Sequence, residues 1–267
     1  MATLIFIDIF ILGLIFGSFL NTVIYRLHKK KDFVSGRSAC LDCGHDLAWD
    51  DLIPVFSYFI LGGKCRYCGK SISWQYPFVE LMTGILFLAV FYRNIDLIFD
   101  FLSFGTLKIL YLFFVVCCLI IIFVYDLKHY IIPNKIIYPL IGVTVFWYLV
   151  SSLFFQTYNL AELLGFLVAA FYSATFFWIV HTMTDGKGMG MGDVKLGFFM
   201  GLFFGSPQIL IALPLSFFIG SIIGIALIIF KRKKFKSEVP FAPFLVSGTF
   251  LVMLFDQWFL GFNLFNF

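Results

Sequence analysis

Apolar positions along this chain gather in long, nearly unbroken runs divided by short polar stretches, rather than in strict alternation. The run from Ile109 to Tyr125, for instance, contains no charged residue. A membrane's hydrocarbon core takes about 20 apolar residues per helical crossing. On that basis the pattern predicts spans near 5–25, 76–92, 109–125, 136–155, 161–183, 194–206, 208–230 and 241–260. The expected fold is therefore all-α, a polytopic membrane protein with about eight transmembrane helices. Barrel strands would give short alternating segments, which are absent from the pattern. The sixth span is short and interrupted by glycine, so part of it is expected to be buried in protein rather than facing lipid. The first has neither a basic region before it nor a small-residue cleavage site, and reads as an uncleaved anchor. Three regions follow: an anchor at 1–25, a polar loop at 26–75, and a multi-helix membrane domain at 76–267.

Composition agrees, with 61% hydrophobic and 13% charged residues and a mean hydropathy of +1.00, values that exclude an ordinary soluble domain. Charge sets the orientation. The segments 26–75, 126–135, 184–195 and 231–240 fall on one side and hold every one of the 19 Lys and Arg residues except Arg93 and Lys108. That side is expected to be cytoplasmic. The net charge of +4 then reflects topology and gives no reason to invoke nucleic acid. The run Lys231-Arg-Lys-Lys234 reads as a stop-transfer signal and a contact with anionic lipid.

Two carboxylates stand out against this background. Asp126 closes the run from Ile109, and Asp193 follows the glycine-alternating stretch Gly186-Lys-Gly-Met-Gly-Met-Gly192. A charge near hydrocarbon costs on the order of 2 kcal/mol or more, so such residues commonly face a wet cavity and do chemistry or transport. The simpler reading is two helix caps in the headgroup layer. Two spans separate the residues, and an even number of crossings returns the chain to its starting face. Both then lie near the same boundary, which favours a paired site.

The 26–75 loop carries Cys40-Leu-Asp-Cys43 and Cys65-Arg-Tyr-Cys68, each pair followed directly by glycine. Two such turns can bring four thiolates into a tetrahedron around a structural zinc ion, with Gly44 and Gly69 permitting the tight knuckles. Disulfides are the alternative, opposed by a reducing cytoplasm. Four cysteines leave no open coordination position, so the chemistry would lie elsewhere. His45 is adjacent to a ligand pair and stands as a spectator or a substitute ligand, while Cys117 and Cys118 read as packing residues within a span.

These motifs together resemble the type IV prepilin peptidases, leader peptidases with N-methyltransferase activity. The resemblance is carried by Gly17-Ser-Phe-Leu-Asn-Thr-Val-Ile-Tyr-Arg26, the four-cysteine loop with Leu52-Ile-Pro-Val-Phe-Ser-Tyr58, and Ile72-Ser-Trp-Gln-Tyr-Pro-Phe-Val-Glu-Leu81. It continues through Asp126-Leu-Lys-His-Tyr-Ile-Ile-Pro-Asn134, Gly190-Met-Gly-Asp-Val-Lys-Leu196 and Val239-Pro-Phe-Ala-Pro-Phe244. It implies that Asp126 and Asp193 are the catalytic pair of a Gly-x-Gly-Asp type intramembrane aspartic protease, with the peptidase domain at 76–267. Gly190 and Gly192 would allow close backbone approach, and Pro133 would restart a helix at its first-turn position. The implied substrates are type IV prepilins and pseudopilins, cut at the cytoplasmic face of a bacterial inner membrane. S-adenosylmethionine is the implied methyl donor, and Glu80 either orients cofactor or amine or is a helix-end charge. Leu41 and Lys187 depart from the usual family pattern, where proline and an acidic residue are frequent. A transporter that binds its coupling ion at the paired aspartates is the rival reading, and a zinc-loop scaffold without a reaction is a third.

Overall fold

The computed structural model describes residues 2–29, 36–95, 104–186, 188–230 and 239–260, with side chains described throughout except at 2 and 256–260. The helices are α1 (Ala2–His28), α2 (Phe56–Ile60), α3 (Gln75–Arg93), α4 (Phe104–His129), α5 (Asn134–Phe155), α6 (Leu160–Met183), α7 (Met191–Phe204), α8 (Ile209–Ile229) and α9 (Ala242–Leu260). Helices occupy all eight expected spans. In lipid a backbone must satisfy its polar groups internally, and a helix does so within one segment. No strand is formed among the described residues beyond two isolated bridges.

Six of these helices, α1, α3, α4, α5, α6 and α8, are long and apolar enough to cross a bilayer. The protein is thus a multi-pass membrane protein. Helix α7 has 14 residues, about 21 Å at 1.5 Å per residue, too short for a hydrocarbon core of about 30 Å. It is instead buried in protein, as its glycines suggested, with Leu196, Phe199, Met200 and Phe204 almost wholly enclosed. Helix α9 is apolar over Ala242–Phe255, and its backbone leaves the helical region at Phe255. Lys187 and the basic run at 231–234 lie outside the described residues.

The chain divides into two compact units, residues 1–121 and 122–267. In the first, α1 packs closely along α3, and Phe87 of α3 stacks on Phe113 at 4.1 Å between centroids. The 26–75 region contains the unforeseen helix α2 and a short 3-10 turn, Trp49–Leu52. In the second unit α7 is the element the others surround. Its Gly197 and Gly201 face Phe177 and the Ala169 carbonyl of α6 so closely that a Cβ at either would collide. Ser173 Oγ donates to the Gly197 carbonyl at 2.7 Å across that contact. On another side Tyr148 of α5 donates to the Phe203 carbonyl at 2.9 Å. Helix α6 starts with a reciprocal cap, in which Glu162 N–H donates to Asn159 Oδ1 at 2.9 Å and Asn159 N–H donates to Glu162 Oε2 at 2.8 Å.

Candidate active site and metal centre

Asp126 occupies the last turn of α4 and Asp193 the first turn of α7, with α5 and α6 between them in sequence. Both are buried, with 5% and 8% of their surface exposed. Asp193 is the third residue of its helix, where a carboxylate complements the orphan N–H groups and the helix dipole. Its Oδ2 accepts the Gly190 N–H at 3.0 Å, and its own N–H donates to the Gly190 carbonyl at 3.0 Å. The Asp126 carboxylate is within hydrogen-bonding range of the Ala242 N–H at the start of α9. The two side chains are near enough for the charge of Asp126 to act on Asp193. Neighbouring carboxylates of this kind seldom ionise together, so one can serve as acid while the other serves as base.

The turn between α4 and α5 sets the approach. Tyr130 has a φ of 56°, and its N–H donates to the Asp126 carbonyl at 2.9 Å, ending α4. Ile132 then turns inward beneath α7. A Cβ on Gly192 would lie 2.9 Å from the Ile132 Cβ, so glycine is what lets α7 begin here. Gly190 differs from expectation. A Cβ there would meet nothing closer than 3.6 Å, because this residue is the extended cap of α7 rather than a point of close approach. Pro133 is likewise one position earlier than expected, capping α5 with a ψ of 120° while its carbonyl accepts the Ile136 and Ile137 N–H groups.

Three further residues brace the aspartates and were not singled out by sequence. His181 Nδ1 lies 2.7 Å from the Met189 carbonyl and fastens the glycine-rich stretch to α6. Lys195 Nζ donates to Asn134 Oδ1 at 2.7 Å and lies 5.0 Å above the Tyr138 ring, joining α7 to the start of α5. Ala242 belonged to a motif quoted without a role. No spacing rule pairs residues 181 and 189 or 134 and 195, so only the fold brings them out. The His129 ring lies tilted against that of Tyr125 at 4.6 Å between centroids.

In the first unit the four cysteines converge, with all four Sγ atoms within 4.8 Å of one another and those of Cys40 and Cys68 3.9 Å apart. Zinc–thiolate bonds of about 2.3 Å give a tetrahedral edge of about 3.8 Å, so these side chains fit that metal. Two equivalent knuckles build the cluster. Cys40 N–H donates to the His45 carbonyl at 2.9 Å and Gly44 N–H to the Cys40 carbonyl at 3.0 Å. Cys65 with Lys70 and Gly69 with Cys65 repeat the pattern at 2.8 and 2.9 Å. Gly44 and Gly69 both have φ of +72°, which few other residues adopt readily. The Cys43 N–H, and then that of Asp42, bring the Cys40 thiol down to about 7, toward the thiolate that a metal needs.

Contacts between the knuckles hold them in register. Lys70 pairs with Asp42 at 2.9 Å, and the His45 and Tyr67 rings lie 3.7 Å apart. Arg66 reaches Asp50 at 2.8 Å and Asp51 at 2.7 Å. His45 is therefore a packing partner of Tyr67 here. Glu80 is no surface charge at a helix end. It is 7% exposed, accepts the Val55 N–H at 2.7 Å, and lies near Ser18 of α1. Val55 itself is held at a φ of 64°, unusual for a β-branched residue. Asn21 of α1, donating to the Tyr76 carbonyl at 3.2 Å and accepting from Gln75 at 3.1 Å, secures the same end of α3.

Comparison with known proteins follows these two units. The profile described as the Bacterial Peptidase A24 N-terminal domain matches residues 11–94, and that of the Type IV leader peptidase family matches residues 113–229. A protein from Xanthomonas campestris pv. campestris named "Prepilin leader peptidase/N-methyltransferase" is 32% identical over 266 residues, covering 90% of this chain and 88% of its own. The chain belongs to the type IV leader peptidase family. Relatives with the same name from Bacillus subtilis, 32% identical with 93% and 94% covered, and Vibrio cholerae, 30% identical with 92% and 94% covered, span nearly all of both chains. No solved structure matches. Both elements discussed above, the aspartates and the cysteine knuckles, fall within the matched stretches of this leader peptidase.

The cluster generates a prediction. Protein purified under reducing conditions without chelator will carry one zinc ion per chain by elemental analysis. Replacing Cys40 or Cys68 with serine will remove most of it and make residues 36–74 more susceptible to protease, because metal binding and folding are coupled in such modules.

Proposed function

We propose that this chain is a membrane aspartic endopeptidase that removes the basic leader from type IV prepilins and pseudopilins at the cytoplasmic face of a bacterial inner membrane, and that it then methylates the new N-terminus. The observation that carries the reading is the burial of both Asp126 and Asp193, near enough for the charge of the first to act on the second. The relatives' shared name supports the same reaction and gives no support to an ion or solute transporter. The assignment of the loops holding most Lys and Arg residues to the cytoplasm rests on the charge asymmetry.

In the proposed mechanism the ionised carboxylate takes a proton from water as the water oxygen bonds to the scissile carbonyl carbon, and the protonated carboxyl gives its proton to the carbonyl oxygen. The tetrahedral intermediate then expels the amine, which takes up a proton from the first carboxyl, while one hydroxyl of the intermediate returns a proton to the second carboxylate as the carbonyl re-forms. The N–H donors of Gly190 and Ala242 hold the two carboxylates in place.

Cys40, Cys43, Cys65 and Cys68 would hold a structural zinc ion that fixes the loop's shape and takes no part in cleavage. S-adenosylmethionine, when bound, supplies an electrophilic methyl group. Glu80 accepts the Val55 N–H, which suits a residue that positions the 53–56 turn rather than one that touches the cofactor.

Asp126→Asn and Asp193→Asn will each reduce cleavage of a prepilin by about 10²–10⁴-fold or more, the usual contribution of general acid–base catalysis, with zinc content unchanged. Gel assay of precursor and mature pilin measures this, and near-normal cleavage by both variants would end the proposal. Glu80→Ala will lower transfer of labelled methyl more than cleavage on the same precursor. Glu80→Gln, which keeps an acceptor for the Val55 N–H, will recover part of the loss. Equal loss of both activities in folded protein would remove the positioning role.

A further inference from the structure

The ten residues Leu52–Leu61 carry no charge although they lie in a loop otherwise rich in charged residues. Within them α2 is two-sided. Tyr58 turns inward, donating to the Ile72 carbonyl at 3.4 Å, and Ser57 is half-buried. Phe56, Phe59 and Ile60 point outward at 64%, 61% and 77% exposure, flanked by exposed Leu52 and Ile53. A contiguous apolar surface of this kind marks an interaction site.

Its position relative to α3 says what covers it. Trp74 is the residue immediately before the spanning helix, with helical φ and ψ, and its carbonyl accepts the Phe78 N–H at 3.2 Å. The helical register therefore runs back through Trp74. Trp74, Phe78, Leu81 and Ile85 recur at helical spacing, and all four are exposed, forming an apolar stripe along the outside of a membrane span. The Trp74 ring in turn lies 5.1 Å from that of Tyr58 and 6.1 Å from that of Phe59. The outward face of α2 thus continues the exposed apolar stripe of α3 by one ring's breadth, beside the first turn of that span. Tryptophan and other aromatic side chains favour that layer.

We infer that α2 and Trp74 form an interfacial anchor, which lays the four-cysteine module on the bilayer with Phe56, Phe59 and Ile60 inserted among lipid headgroups. The occupant is the lipid of the protein's own membrane. The module has spans at both ends, α1 and α3, so insertion requires no further ordering of the chain and small apolar contacts suffice. The anchor fixes the height of the module above the membrane independently of catalysis.

The test uses the unmodified full-length protein in phospholipid nanodiscs containing a lipid with a photoreactive diazirine close to its headgroup. Adducts would be mapped by mass spectrometry after illumination. Phe56, Phe59, Ile60 and Trp74 are expected to be labelled about as heavily as Phe78, while the polar knuckle tips at 41–43 and 66–69 stay unlabelled. Labelling of Phe78 and Leu81 with none on α2 would overturn the inference. So would capture of α2 by a photoreactive prepilin peptide in place of lipid, since the face would then be a substrate surface.

Discussion

Burying two carboxylates within electrostatic reach of one another is the constraint on which the second unit is built. Removing one ion from water carries a penalty of several kcal/mol even after relaxation, and a hydrogen bond to a charged group returns only about 1.5–3 kcal/mol. Single N–H donors from Gly190 and Ala242 therefore do not suffice, and the remaining work falls to packing that prevents the groups from moving apart. Helix α7 supplies it. Gly197 and Gly201 seat it against α6, Tyr148 ties it to α5, and Gly192 lets its first turn lie directly over Ile132. Together these contacts seat the helix that carries Asp193. A short buried helix is well suited to this, because its ends need not reach both membrane faces.

The first unit solves a different problem with different chemistry. Residues 36–74 contain too few apolar side chains facing inward to make a core, and the fold is replaced by two knuckles, their cross-links and a cluster of thiols that a zinc ion would close. The Glu80–Val55 bond then connects this module to a buried point on α3, and Asn21 ties α1 to the start of the same helix. A rigid soluble piece is thereby coupled to the spans that carry it. Its polar knuckles and the exposed aromatic face of α2 give this short segment two different surfaces.

Much of this was legible in the sequence because its signals were local. Long apolar runs located the spans to within a few residues, and C-x-x-C-Gly repeated at one spacing announced the knuckles down to their positive φ. The nearness of Asp126 and Asp193 was only a topological inference from an even number of crossings. What sequence missed depends on contacts between distant residues. Gly190 and Gly192 look alike in the motif, yet only the second faces a neighbour, because Ile132 comes from another loop. Glu80 at the start of an apolar run looked like a possible interfacial charge, and its burial follows from the Val55 turn, whose strained backbone no composition rule predicts. Helix α2 was too short to produce a periodic signal.

The central claim is that Asp126 and Asp193 work as one unit, and the double variant Asp126→Asn/Asp193→Asn tests it most directly. Groups that act together give strongly non-additive losses, whereas independent groups multiply theirs. Residual cleavage of a prepilin by the double variant, measured beside both single variants at equal folded concentration, should match that of the weaker single variant. A double variant slower by the product of the two single losses would contradict the account.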